Sequence, residues 1–388
     1  MRVQRVHNES MGGISYRLLD DADKPIAEID GFMQYLGGRG CSPNTLSAYA
    51  HDLLHFARFL DRDGLSFETF APAHALALLG YLRAVPSRSR APRLGPVLAT
   101  AADGRSAPRL SPATVNRILA AVSSFYEYLI LSGAFAGGEN PIQMVEDVPG
   151  VHVVERHRPF IGRASRQRPI RRAVGVKTVR RVPRPLSDEQ VDRLTGGLRR
   201  LRDRAMILLM LQGGLRPGEV LNLRLEDIHY GRRRVVVRWC DDHPKGARTK
   251  SRTERVVDLH EPAALATLSA YVMRERPADV ESPFVFLVGG HGRRRGEPLG
   301  YAALVKLFAR ACDRGGIREP WVTPHALRHS HATRLWEGGM RELALQKRLG
   351  HASPESTRLY TRVSDPMVVA EYRRALGEPG GNGEEARP

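Results

Sequence analysis

In the stretch LQGGLRPGEVLNLRLEDI, Arg216 directly precedes Pro217 and a short helical segment that carries Glu219. An arginine at a helix start stands beside free backbone N–H groups, and together they can grip a phosphate. A surface arginine at a turn would read the same in isolation. Farther on, TPHALRHSHATRLW sets His325 and Arg328 three apart, on one helix face behind a Thr-Pro start. A titratable imidazole beside a fixed guanidinium suits general acid–base work at a charged group. His325, His329 and His331 also read as a metal cluster, since His325 and His329 share the i, i+4 face that zinc ligands use. No Glu follows the first His and residue 328 is cationic, so histidines that merely cap or pack are the stronger rival.

Two further stretches add reactive groups. The loop DDHPKGARTKSRTERVV offers Lys245 and Lys250 ahead of a strand, although lysines in hairpin loops are usually just solvated. In LGHASPESTRLYTRV, Gly350 can end one helix and leave His351 in the turn, while Ser353 and Pro354 open the next, which carries Tyr360. A tyrosine alone means little, because most sit half-buried with the hydroxyl at the surface. Taken in order, Arg216, a hairpin lysine, His325-x-x-Arg328, Gly350-His351 and Tyr360 form a basic set that ends in one nucleophile-capable hydroxyl.

These residues need rigid elements to hold them. Residues 1–25 have no strong period, are too few for a domain of their own and read as an N-terminal extension that can hold one strand. From 26 to 148 the pattern is helical. Ser42 with Pro43 starts a stripe of Leu46, Tyr49, Leu53, Phe56 and Leu60 that Gly64 ends, and Ser111 with Pro112 starts a second stripe from Val115 to Leu129. The intervening Pro, Gly, Ala and Arg-rich text reads as a loop. Residues 149–185 read as a basic interdomain linker, and the run 157–185 contains no acidic residue, so it should stay extended against a polyanion. A second domain, 186–375, opens with a Ser187/Gln190 capping box. Helices follow near 200–213 and 217–225, then two β-rich stretches around 232–240 and 252–260. Further helices fall near 261–275, 300–314, 325–337, 341–349 and 354–361. The tail 376–388 has no means of forming a core.

Charge points to the partner. The 388 residues hold 60 Lys plus Arg against 42 Asp plus Glu, a formal net charge of +18 that favours a polyanion, nucleic acid before an anionic membrane. No run of about 18 apolar residues exists and the first residues lack a signal-peptide apolar region, which supports a cytoplasmic chain that does not engage a membrane. Cys41, Cys240 and Cys312 are far apart and odd in number, so neither a disulfide framework nor a Cys-based zinc site is supported.

The ordered boxes GLRPGEVLNL, HALRHSHAT and LGHASPESTRLY resemble those of the tyrosine recombinases of the phage integrase family. The resemblance implies a mainly α fold with a small β-sheet in two domains, a helical, SAM-like core-binding domain and a mixed α/β catalytic domain closing a clamp around duplex DNA. It implies that Arg216 and Arg328 are the paired catalytic arginines, His325 and His351 the histidines of the second and third boxes, and Tyr360 the nucleophile. Glu219 matches the acidic residue that supports the first arginine. Counting back from the strand selects Lys250 as the hairpin lysine, although this loop is longer than usual and Lys245 competes. On the core-binding helices Thr45, Tyr49, Asn116 and Arg117 are expected to meet DNA.

The implied chemistry fits these residue types. Attack on a phosphodiester adds charge to oxygens already anionic, and two arginines, a lysine and two histidines can supply the opposing charge. No metal or cofactor is therefore expected. Forming a phenolate at pH 7 from a group of reference pKa near 10 costs roughly 4 kcal/mol, which a base such as His325 and cationic surroundings can offset. The family's reaction implies a 3′-phosphotyrosyl intermediate, a free 5′ hydroxyl with Lys250 as acid, and a homotetramer on specific recombination sites. The long basic linker and the Arg-rich insertion after residue 86 favour a mobile-element integrase or transposase. A chromosome-dimer or plasmid-multimer resolvase is the alternative, and a non-catalytic DNA-binding protein the alternative of another class.

Overall fold

The computed structural model describes residues 1–8, 13–87, 109–146, 170–178, 184–249 and 254–350. The chain divides into two compact units, the first ending near Arg180 and the second holding Arg181 onward.

In the first unit β1 (Arg2–Asn8) and β2 (Gly13–Leu19) form an antiparallel hairpin with Arg2 opposite Leu19. Four helices follow: α1 (Ala27–Gly38), α2 (Pro43–Asp63), α3 (Pro72–Ala84) and α4 (Pro112–Leu131). Their starts obey local chemistry. Ser42 and Ser111 accept from the backbone N–H three residues on, each with Pro at the first helical position, and Gly64 closes α2 in the left-handed region. The stripes of α1, α2 and α4 meet in an aromatic core of Phe32, Phe56, Phe59, Phe125 and Tyr126, with Phe70 edge-on to Phe56 at 5.0 Å. Contacts of that kind add about 0.5–1.5 kcal/mol each beyond the area they bury. Tyr126 donates its hydroxyl to the Phe67 carbonyl at 2.9 Å, so its burial leaves no polar atom stranded.

Two expectations change here. Residues 1–25 hold two strands where one was allowed for, and the hairpin packs on α1 and α2 with Leu18 fully buried in the same core. Part of the expected linker is also folded. β4 (Ile170–Arg172) pairs with β3 (Met144–Glu146), and Val174 and Val176 lie on the core of the first unit. The β3–β4 pairing and the packing of the hairpin on α1 and α2 join positions that a local period does not connect.

The second unit starts with α5 (Asp188–Gly196), where Ser187 and Gln190 do form the capping box. Helix α6 (Leu201–Gln212) is buried nearly all round, from Ala205 to Leu211, and packs against α8 (Pro262–Arg274) and α10 (Pro324–Glu337). Its first N–H groups find no cap in their own sequence. The Glu275 carboxylate supplies it, accepting from Leu201 and Arg202 at 3.0 Å each. After α7 (Pro217–Leu221) comes an antiparallel sheet in the order β5 (Ile228–His229), β6 (Arg234–Val237), β7 (Arg255–Asp258). α9 (Tyr301–Arg314) and α11 (Glu342–Leu349) complete the described part. The architecture is mainly helical with small antiparallel sheets, as the sequence implies. The expected helix at 354–361, the tail at 376–388 and most of the insertion after residue 86 lie outside the described residues.

Candidate active site

α6 ends at the glycines 213 and 214, and the chain then turns through Arg216 into α7. Glu219 fixes that turn. Its Oε2 accepts from the Arg216 backbone N–H at 2.8 Å and its Oε1 from Arg216 Nη1 at 2.8 Å. The Glu219 side chain is wholly buried while that of Arg216 keeps 17% exposure, so the carboxylate is structural and the guanidinium remains reachable.

Arg328, on the buried face of α10, approaches the same carboxylate at 3.9 Å and donates to the Gly214 carbonyl at 2.6 Å. A third arginine, absent from the sequence-derived set, makes the strongest contact. Arg255 opens β7 and forms a bidentate pair with Glu219, Nη1 to Oε1 at 2.9 Å and Nη2 to Oε2 at 2.7 Å. Burial alone would push the Glu219 carboxyl up. The hydrogen bonds from Arg255 and the charges of Arg255, Arg328 and Arg216 outweigh it and hold the pKa at about 2.

The end of α11 docks on this cluster. Arg255 Nε donates to the Arg348 carbonyl at 3.1 Å, Arg328 Nη2 to that of Leu349 at 2.5 Å and Arg216 Nη2 to that of Gly350 at 3.2 Å. Gly350 itself sits at φ +62°, the left-handed helix end expected of it.

The histidines of α10 separate by role. His325 is exposed at the second helical position, within reach of a ligand. His331 is buried, its Nδ1 toward the Leu211 carbonyl at 2.9 Å and its Nε2 3.2 Å from Arg348 Nε, which leaves no ring nitrogen for a metal. Burial first, then the Arg348 charge, brings its pKa down to about 3. His329 falls to about 4, through burial and then the charges of His325 and Arg328. Among the described residues no group of three or more His, Cys, Asp or Glu is arranged to hold a metal ion.

Lys245 is committed to Glu297, Nζ to Oε2 at 2.5 Å, in a loop whose far end is tied by the Thr249 hydroxyl to the Cys240 N–H at 2.8 Å. Lys250, His351 and Tyr360 lie outside the described residues.

On the first unit Thr45, Tyr49 and Arg117 line one cavity of about 380 Å³ with Asn44, Ala48 and Asp52. The structure qualifies each. Thr45 shares its hydroxyl with Ser42 at the start of α2, Tyr49 is half-buried edge-on to Phe32, and Arg117 pairs with buried Asp52 at 2.9 Å. Asn116 is turned away from the set. Its amide grips Val176 through both ends, at 2.8 and 2.9 Å, which makes it a brace for the segment after β4.

Sequence reasoning missed Arg255, Arg348 and Asp52. A signal existed for the first: Arg255 shares the inward face of β7 with buried Val257, and a charge at such a position demands a buried partner.

Comparison with known proteins places this geometry. The profile described as the phage integrase family matches residues 184–367, and that of the phage integrase N-terminal SAM-like domain matches residues 29–133. Transposase A from transposon Tn554 of Staphylococcus aureus is 30% identical over 382 residues, covering 97% of this chain and 98% of the relative. Tyrosine recombinase XerC of Chromohalobacter salexigens is 28% identical over 354 residues, 90% of this chain and 95% of the relative. The Tn1549 transposon integrase in complex with transposon right end DNA shares the fold at a TM-score of 0.60 and 17% identity, covering 90% of this chain and 99% of that one. XerH bound to its palindromic difH substrate does so at 0.57 and 18% identity, covering 88% and 82%.

Proposed function

The chain belongs to the phage integrase family and is a tyrosine site-specific recombinase, an enzyme that cleaves and rejoins double-stranded DNA, and on that premise we propose that it integrates, excises or transposes a mobile element. The observation that carries the chemistry is the arginine cluster on Glu219, which offers Arg216 and Arg328 as preset cations around one phosphate site. Tyr360 attacks the scissile phosphorus, its phenolic proton passing to His325, and a P–O bond to tyrosine replaces the bond to the 5′ oxygen. Lys250 gives that oxygen its proton, while Arg216, Arg328 and His351 hold the charge on the pentavalent phosphorus. Lys245 is the weaker acid candidate because Glu297 already holds its ammonium. The bond energy stays in the 3′-phosphotyrosine, so a 5′ hydroxyl from another duplex reseals the strand without ATP. Four such breaks across two duplexes call for a homotetramer.

The mobile-element role is supported by similarity to a transposase over nearly the full length of both chains. Similarity to XerC over 90% of this chain supports the second reading, resolution of chromosome dimers or plasmid multimers. No helix among the described residues is long and apolar enough to cross a membrane, and we place the enzyme in the cytoplasm, on the nucleoid when it is bound to DNA.

Incubated in EDTA with nicked DNA from the flanks of its own coding region, the protein is expected to form a covalent adduct that Tyr360→Phe abolishes. An intact Tyr360 enzyme that binds this DNA without ever trapping an adduct would refute the reading. Sequencing the DNA held on Tyr360 then distinguishes element ends from a chromosomal resolution site.

A further inference from the structure

The three guanidiniums that meet at Glu219 also cap the end of α11, each on a different carbonyl of the consecutive residues Arg348, Leu349 and Gly350. A helix C-terminus leaves carbonyls unsatisfied and carries the negative end of the dipole, so cations there are favoured on both counts. The next residue is His351, the first reactive group of the segment that ends in Tyr360.

Arg255 has a special place among the three. It begins β7, five residues after Lys250, and its side chain is only 8% exposed. Each of its three nitrogens has a partner: Nη1 and Nη2 on the two oxygens of Glu219, Nε on the Arg348 carbonyl. One guanidinium thereby joins β7, α7 and the end of α11, the elements that lead to Lys250, present Arg216 and lead to His351. Every nitrogen of Arg255 is thus engaged by protein atoms.

We propose that Arg255 is a positioning residue for DNA cleavage: by bridging Glu219 to the end of α11 it sets the Arg216 guanidinium and the carbonyls of Arg348 to Gly350 in one fixed arrangement. The inference rests on the recombinase reading above. A lysine cannot replace Arg255, because its single ammonium cannot span two carboxylate oxygens and a carbonyl on separate elements.

The test uses the full-length protein and a nicked duplex of the sequence recovered from the wild-type adduct, with Arg255→Gln and Arg255→Lys compared in single-turnover cleavage at saturating DNA. Misplacing reacting groups by about 1 Å can cost on the order of 100-fold, and a loss near that size is expected for Arg255→Gln, with Arg255→Lys restoring little of it. The dissociation constant for the same DNA should move by less than about threefold, and Arg255→Gln should cost almost nothing further in a Glu219→Gln background, since the two act as a unit. A rate that is unchanged, a loss confined to DNA affinity, or a loss that multiplies with that of Glu219→Gln overturns the proposal. Thermal melting monitors the fold, and if the Gln variant does not fold the charge-retaining Lys variant carries the same comparisons. A wild type without adduct refutes the recombinase reading itself, whereas a cleaving wild type matched by cleaving Arg255 variants refutes only this inference.

Discussion

Two buried acid–base groups lie within one network, Glu219 among the arginines and His331 against Arg348, and they respond to acid in different windows. Glu219 has a folded pKa of about 2, below the ordinary 4.5, so its contribution is present above pH 4.5 and is lost as pH falls toward 2. His331 is also depressed, to about 3 from 6.5, which means the unfolded chain takes up a proton that the folded one refuses. Stability from this source is intact above pH 6.5 and drains away as pH falls toward 3, amounting to about 2 kcal/mol by pH 5. Within this network, acid sensitivity should therefore begin with the imidazole, well before the Glu219 carboxylate responds. His331→Gln keeps a donor for the Leu211 carbonyl and an acceptor for Arg348 without the titration. Urea midpoints measured from pH 7.5 to 4.5 should fall less steeply for this variant than for the wild type. Parallel slopes would show that His331 does not carry the acid response.

At the scale of elements, the approach of α7 to the hairpin loop is a tight constraint on the site. A Cβ on Gly218 would stand 2.4 Å from the Arg248 carbonyl, a backbone atom that cannot swing aside. Helix propensity alone favours alanine over glycine by about 1 kcal/mol, so a net loss in Gly218→Ala would isolate the close approach. Overpacking of this kind costs about 1–3 kcal/mol, and displacement of residue 248 should also slow adduct formation, because Lys250 follows two residues later. Chemical denaturation and the nicked-duplex assay read both effects, and a more stable variant would contradict the contact. The same contrast between local and distant contacts explains what the sequence disclosed. Ser42, Ser111 and Ser187 cap within three residues of themselves, so α2, α4 and α5 were legible. Arg216, His325 and Arg328 were legible as ordered motifs. Arg255, by contrast, meets Glu219 across 36 residues and the Arg348 carbonyl across 93, and Asn116 meets Val176 across 60. No period or spacing names such partners, although the charge on the inward face of β7 does signal that Arg255 needs one.

At the scale of the whole molecule the excess of cations must be assigned to places, since a net charge of +18 does not itself say where DNA lies. Several arginines are already consumed within the protein: Arg255 by Glu219, Arg238 by Asp227, Arg295 by Asp279. The run 157–185 differs in holding no carboxylate to consume its own. Its residues 170–178 include the folded β4, whereas Arg158, Arg163, Arg166 and Arg168 precede that strand. Each phosphate a cation neutralises adds about 0.9 to the slope of log affinity against log salt concentration, through release of a condensed counterion. Converting these four arginines to glutamine should therefore lower the slope by up to about 4 if each meets one phosphate. Titrating DNA at four or five salt concentrations gives the slope directly. A shallower slope with affinity converging on the wild type at high salt places the segment along the backbone of the duplex. An unchanged slope removes it from the DNA path and leaves the non-specific attraction to the two folded units.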